Sequence, residues 1–186
     1  LPFTRMLSGP MDYTPGVFQL NNFRYDSPET KNIDKGAIVP STIGKELALY
    51  VVYYSPMQMA ADLPKHYSKH MDAFAFIKNV PVDWSERKIL NSEFREYVCM
   101  ARKDKYSENW YVGGITNENE RELKLDFSFL ESGKEYTMKM YLDTQNTHWK
   151  ENPMEYQITE REVSANDNID IYLAPGGGFA IEIIAK

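Results

Sequence analysis

The chain has 186 residues with 42% hydrophobic and 26% charged side chains, enough apolar content for one ordinary domain or two small ones and too much for a disordered chain. A net charge of −6 argues against whole-chain attraction to nucleic acid or anionic membrane. The single cysteine, Cys99, excludes an internal disulfide, and with only three histidines beside it the composition argues against a structural zinc site.

In chain order, Leu-Pro-Phe-Thr-Arg-Met at 1–6 reads as a short buried strand. Residues 9–16 are dense in turn formers. Residues 19–40 are polar with few periodic apolars and read as a long loop. Ser41 or Thr42 is placed to cap a helix running to about residue 54, with Glu46 near its start and Leu47, Tyr50, Val51 and Tyr54 on one stripe. Ser55-Pro56 ends it. The apolar run 57–61 reads as a second buried strand, Asp62-Leu63-Pro64 as a turn, and 68–79 as a second helix. The longest near-apolar run, 47–54, is far too short to span a membrane.

Charge and pattern change together near Val80-Pro81-Val82-Asp83-Trp84. Residues 1–80 hold 8 basic and 7 acidic side chains, and residues 81–186 hold 13 and 20. Pro81 disfavours a helical Val80. Beyond it, alternating runs predict strands near 87–91, 96–103, 109–116, 121–127, 135–143, 155–163, 168–174 and 178–185, as an antiparallel β-sandwich. Two parallel strand–helix units cannot close a core alone, and a barrel of such units needs eight. The expected class is therefore α/β plus all-β: residues 1–80 as the last two βα units of a (β/α)8 barrel, and residues 81–186 as a C-terminal β-sandwich. A start at Leu1 fits either a processed end or a cut within a longer protein.

In a βα barrel, chemistry gathers at the C-terminal strand ends, which here carry Arg5 and the 9–16 turn. Arg5 offers a fork of donors to a carboxylate or sugar hydroxyl, Asp12 an acceptor for hydroxyls, and Tyr13 a ring to stack. The alternative is a structural ion pair between Arg5 and Asp12, with Tyr13 packing at the rim. Asp62 reads as a cap for the turn that follows it. His66 and His70 have the i, i+4 spacing of a metal pair, but Lys65 and Lys69 beside them oppose a cation. Gly176-Gly177-Gly178 lies between strands, so it reads as a tight hairpin rather than a phosphate loop. Cys99 reads as a core residue, and Trp84, Trp110 and Trp149 as packing rather than sugar platforms. No carboxylate pair stands out as an acid and base.

The stretch at 1–16, Leu-Pro-Phe-Thr-Arg-Met-Leu-Ser-Gly-Pro-Met-Asp-Tyr-Thr-Pro-Gly, resembles glycoside hydrolase family 97. So do residues 47–64, the junction at 80–84, Ala101-Arg102-Lys103-Asp104, the run at 110–116, and Leu173-Ala174-Pro175-Gly176-Gly177-Gly178. The resemblance covers the whole chain in order. It implies the C-terminal part of a periplasmic or secreted exo-acting α-glycosidase built from a sandwich, a (β/α)8 barrel and a final sandwich. An α-glucosidase is the first expectation and an α-galactosidase the second. The catalytic glutamates and the ligands of a bound Ca2+ are expected upstream of this chain, which alone should be inactive. Its partners are then the rest of the same enzyme and an oligosaccharide substrate. What carries over is the loop from Arg5 through Asp12 and Tyr13, expected to border the sugar subsite. The competing reading is a non-catalytic carbohydrate-binding or structural sandwich module.

Overall fold

A computed structural model describes residues 1–21 and 38–186; most of the expected loop at 19–40 lies outside the described residues. A 3-10 turn (Arg5–Ser8) precedes three helices, α1 (Ile43–Val52), α2 (Pro64–Tyr67) and α3 (Met71–Asn79). Eight strands follow: β1 (Trp84–Glu93), β2 (Tyr97–Asp104), β3 (Trp110–Thr116), β4 (Arg121–Asp126), β5 (Tyr136–Leu142), β6 (Gln157–Val163), β7 (Asn168–Leu173) and β8 (Gly178–Ala185). Each falls where the alternation predicts it. The strand pairings are antiparallel, in a six-stranded sheet of order β1-β2-β3-β8-β5-β6 and a two-stranded sheet β4-β7.

The central strands of the large sheet are buried on both faces, and its edge strands β1 and β6 are largely exposed. Along β2, Cys99 and Ala101 point one way and Val98 and Met100 the other, as the two-residue period of a strand requires. The first set joins Val112, Met138, Phe179 and Ile181, and packs against Leu123, Leu125, Ile171 and Leu173 of β4 and β7. That is the sandwich core, and Cys99 is a core residue within it. The second set joins Tyr111, Ile115, Tyr141 and Ala180 against Leu47, Ala48, Val51 and Val52 of α1 and Phe76 of α3. Central strand β3 is consequently buried at every position.

Helix α1 starts where Thr42 Oγ1 accepts the Lys45 N–H at 3.1 Å. It is buried nearly all round, because the sheet covers one side and residues 15–20 with α3 lie against the others. Helix α3 stops before Val80, whose extended backbone the following Pro81 favours.

Three local expectations need correction. Residues 1–6 form no strand. Without a neighbouring strand their amides close on local carbonyls, Thr4 N–H on Leu1 O and Leu7 N–H on Thr4 O, both at 3.1 Å. The strand expected at 57–61 reduces to one parallel bridge, between Tyr13 and Gln58. The glycine run at 176–178 is no hairpin: β7 and β8 belong to different sheets, so the turn arches between them, with Gly176 at φ +67°. The expected two βα units are thus represented by helices and a single bridge.

Candidate functional site

The predicted site residues lie on the segment 5–19, which begins with the 3-10 turn at 5–8 and continues without a regular helix or strand. Arg5 is exposed, and its guanidinium donates to Gly9 O at 3.3 Å and Pro10 O at 3.2 Å. It pins the turn through carbonyls rather than through Asp12. Asp12 is exposed to solvent. Tyr13 is half-buried, with its ring edge-on to Tyr53 at 4.9 Å. Burial, reinforced by Glu46 and Tyr53, pushes its hydroxyl pKa up to about 12. Tyr13 is neutral there and available as a donor. The segment leaves Arg5 and Asp12 exposed to solvent.

The backbone that follows is held by side chains. Glu46 Oε2 accepts the N–H groups of Gly16 at 2.9 Å and Val17 at 3.1 Å. Asp62 Oδ2 accepts those of Phe18 and Gln19, both at 2.8 Å. The Tyr50 hydroxyl donates to Pro15 O at 3.2 Å or Met59 O at 2.9 Å, and the Tyr67 hydroxyl to Gly16 O at 2.8 Å. Gly16 has φ +88°, and a Cβ there would lie 2.5 Å from the Tyr50 hydroxyl, so position 16 requires glycine. Burial raises the Glu46 pKa, opposed by Ser41, the Gly16 and Val17 amides and Lys45. Burial also works to raise that of Asp62, but His66 and the amides of Gln19, Leu63 and Phe18 outweigh it, leaving the carboxyl below its ordinary range.

Asp62 also accepts the Leu63 N–H at 2.7 Å, in the capping place expected of it. His66 Nδ1 lies against Asp62 Oδ1, whereas His70 Nδ1 meets the Tyr156 hydroxyl at 3.2 Å, so the two rings serve different partners. Trp84 packs edge-on to Tyr111 at 5.7 Å, Trp110 edge-on to Phe129 at 5.0 Å, and Trp149 stacks on His148. These contacts use the rings for packing.

In the sequence Glu46 shows only a helix-dipole role, and nothing there marks Tyr50 or Tyr67 as a ligand of the segment. The available signal was an acid at 46 beside the apolar stripe of Leu47 and Tyr50. A cavity of about 210 Å³ lies between residues 1–3 and the ends of β2 and β3, lined by Lys45, Tyr53, Glu96, Tyr97 and Asn117. Its one carboxylate, Glu96, is held by Arg121 at 2.9 Å. Glycoside hydrolysis ordinarily takes two facing carboxylates, which this cavity does not supply. Among the described residues no group of three or more His, Cys, Asp or Glu is placed to hold a metal ion.

The fold is an all-antiparallel sandwich with helices packed on one outer face, and comparison with known proteins gives its family. The family model described as "Glycosyl-hydrolase 97 C-terminal, oligomerisation" matches residues 83–184. This chain belongs to glycoside hydrolase family 97 and corresponds to its C-terminal portion. It is 35% identical over 191 aligned residues to a retaining alpha-galactosidase of Bacteroides thetaiotaomicron, a match covering 98% of this chain and 26% of that protein. A solved family 97 enzyme from Pseudoalteromonas sp. strain K8, in complex with panose, is 42% identical with a TM-score of 0.90, covering 100% of this chain and 28% of that one. A beta-arabinopyranosidase shares the fold at TM-score 0.73 and 23% identity, over 96% of this chain and 26% of its own. The chain thus spans about a quarter of the length of these relatives.

Proposed function

We propose that this chain is the C-terminal part of an exo-acting α-glucosidase that hydrolyses α-linked oligosaccharides. In this reading residues 1–80 complete a (β/α)8 barrel, residues 81–186 form the sandwich behind it, and the catalytic glutamates and any Ca2+ ligands lie in the remainder of the enzyme. Arg5, Asp12 and Tyr13 border the sugar subsite, and the enzyme works in the periplasm or outside the cell. The observation that carries this is the match over the whole chain, at 42% identity, to an enzyme whose complex contains panose. The parallel bridge between Tyr13 and Gln58 supports the barrel assignment, since parallel neighbours are what a barrel requires. The 35% identical alpha-galactosidase favours α-galactoside hydrolysis as the second reading.

The test is steady-state turnover of nitrophenyl α-glucoside and α-galactoside by the full-length enzyme and by the 186-residue chain. The expected result is glucoside preference in the whole enzyme and no turnover by the chain. Turnover by the chain overturns the placement of the catalytic groups. Galactoside preference selects the second reading.

A further inference from the structure

We propose that Glu46 and Asp62 are positioning residues: their carboxylates, with the hydroxyls of Tyr50 and Tyr67, take the place of a neighbouring strand for residues 15–19 and so hold Asp12 and Tyr13 in register at the sugar subsite. The inference rests on the proposed function for its subsite, but its geometry is independent of it. Successive amides of an extended strand point to opposite sides, so two of them converge on one oxygen only where the chain turns into a small anion-binding nest. Residues 16–19 do this twice in succession. Gly16 and Val17 converge on Glu46 Oε2, and Phe18 and Gln19 on Asp62 Oδ2.

The carbonyls are treated likewise. Pro15 O and Gly16 O accept from the two tyrosine hydroxyls. Two further bonds fasten the segment to its surroundings, Met11 N–H to Tyr54 O at 3.2 Å and Ala61 N–H to Pro15 O at 3.1 Å. The four side chains come from different places: Glu46 and Tyr50 from α1, Tyr67 from α2, and Asp62 from the residues just before it. Ionised acceptors make the stronger hydrogen bonds, so the two carboxylates set the path of the segment. Asp12 and Tyr13 lie four and three residues before the first nest. Losing a nest therefore displaces groups that bind the ground state and transition state alike, which raises KM with kcat little changed.

Two readouts test this. In the 186-residue chain, Glu46→Leu should speed hydrogen exchange of the Gly16 and Val17 amides, and Asp62→Ala that of Phe18 and Gln19, each about tenfold or more. The amides of Val112 and Ile181 in the sheet should be unaffected. Glu46→Gln and Asp62→Asn keep an acceptor oxygen and should hold exchange close to the original rate. In the full-length enzyme, Asp62→Ala should raise KM for the nitrophenyl glycoside by about tenfold with kcat within about threefold, and Asp62→Asn should restore most of it. Asp62→Ala serves alone if Glu46→Leu does not fold. Unchanged exchange overturns the proposal, as does a fall in kcat without a rise in KM. An enzyme that turns over no α-glycoside overturns the proposed function, while the exchange result still decides whether the two carboxylates hold the segment.

Discussion

Asp143, at the end of β5, is 2% exposed and sits where the arch between β7 and β8 meets the start of α1. Its Oδ2 accepts the Gly178 N–H at 2.7 Å and the Ala174 N–H at 3.2 Å, while its buried Oδ1 has no hydrogen-bond partner among the described residues. Burial raises the carboxyl pKa from 3.8 to about 7, against the opposing pull of the Thr42 hydroxyl, the two amides and Lys45. The Thr42 oxygen is already the acceptor for the helix cap, and the Lys45 ammonium donates to Thr116 O and Gly176 O, both at 3.1 Å. A folded pKa above the unfolded value means that the native state favours the proton. The stabilisation is full below about pH 4 and disappears as pH rises through 7, an effect on the order of 4 kcal/mol. Asp143→Asn, a neutral isostere able to accept from the same amides, should therefore be more stable than the original chain at pH 8 and nearly equal to it at pH 4. The difference in Tm between the two proteins, followed across that range, isolates this group from the other carboxyls. A constant difference would mean that Asp143 titrates in the folded chain as it does in the unfolded one.

At the scale of elements, α1 depends on both its ends. Its last turn is closed from the sheet, where Arg102 Nε on β2 donates to Val51 O at 2.6 Å with the guanidinium over the Tyr54 ring at 5.4 Å. Burial lowers the Arg102 pKa to about 10, which leaves it charged at neutral pH and favourably placed at a helix C-terminus. Arg102→Met keeps the stem but not the donor and should cost about 1.5–3 kcal/mol in urea unfolding. Thr42→Ala at the other end should cost about 1 kcal/mol. The Thr42 cap was legible in the sequence, as were all eight strands, because capping and alternation are local signals. Partner choice is not local. Gly176 announced a positive φ, but nothing in the run at 174–178 says that its flanking strands belong to different sheets. The apolar run at 1–6 has the composition of a buried strand, and only the lack of a neighbour in the described fold turns it into a 3-10 turn. Glu46 was visible as an acid in the first turn of a helix; its service to amides thirty residues earlier was not. Of the candidate site, the segment was legible and its anchors were not: Asp62 was legible only as the cap of the turn after it, not as the acceptor for Phe18 and Gln19.

For the molecule as a whole, the decisive feature is that the family's C-terminal match begins at residue 83 whereas one of the two cores crosses that point. Val98, Met100, Tyr111, Ile115, Tyr141 and Ala180 are buried in a cluster whose other half comes from residues 18–80. Cutting the chain at the match boundary leaves the sandwich core between the two sheets intact but uncovers this second face. A contiguous apolar surface of that kind exceeds what a monomeric soluble domain ordinarily exposes. Residues 83–186 alone should therefore retain the β-sheet circular dichroism of the sandwich, bind a hydrophobic dye such as ANS, and self-associate in sedimentation. The 186-residue chain should instead unfold in one transition, with tryptophan fluorescence and far-UV signals coinciding. Trp84 reports the helix-facing side and Trp110 the sandwich core, so noncoincident signals would show two separately folding layers. A monomeric, dye-free 83–186 fragment would show that the sheet does not need its helices. If the dependence holds, the boundary at 80–84 marks a change of sequence pattern and not a division of the folding unit, because α1 contributes as much to the sheet's outer face as β4 and β7 do to its inner one.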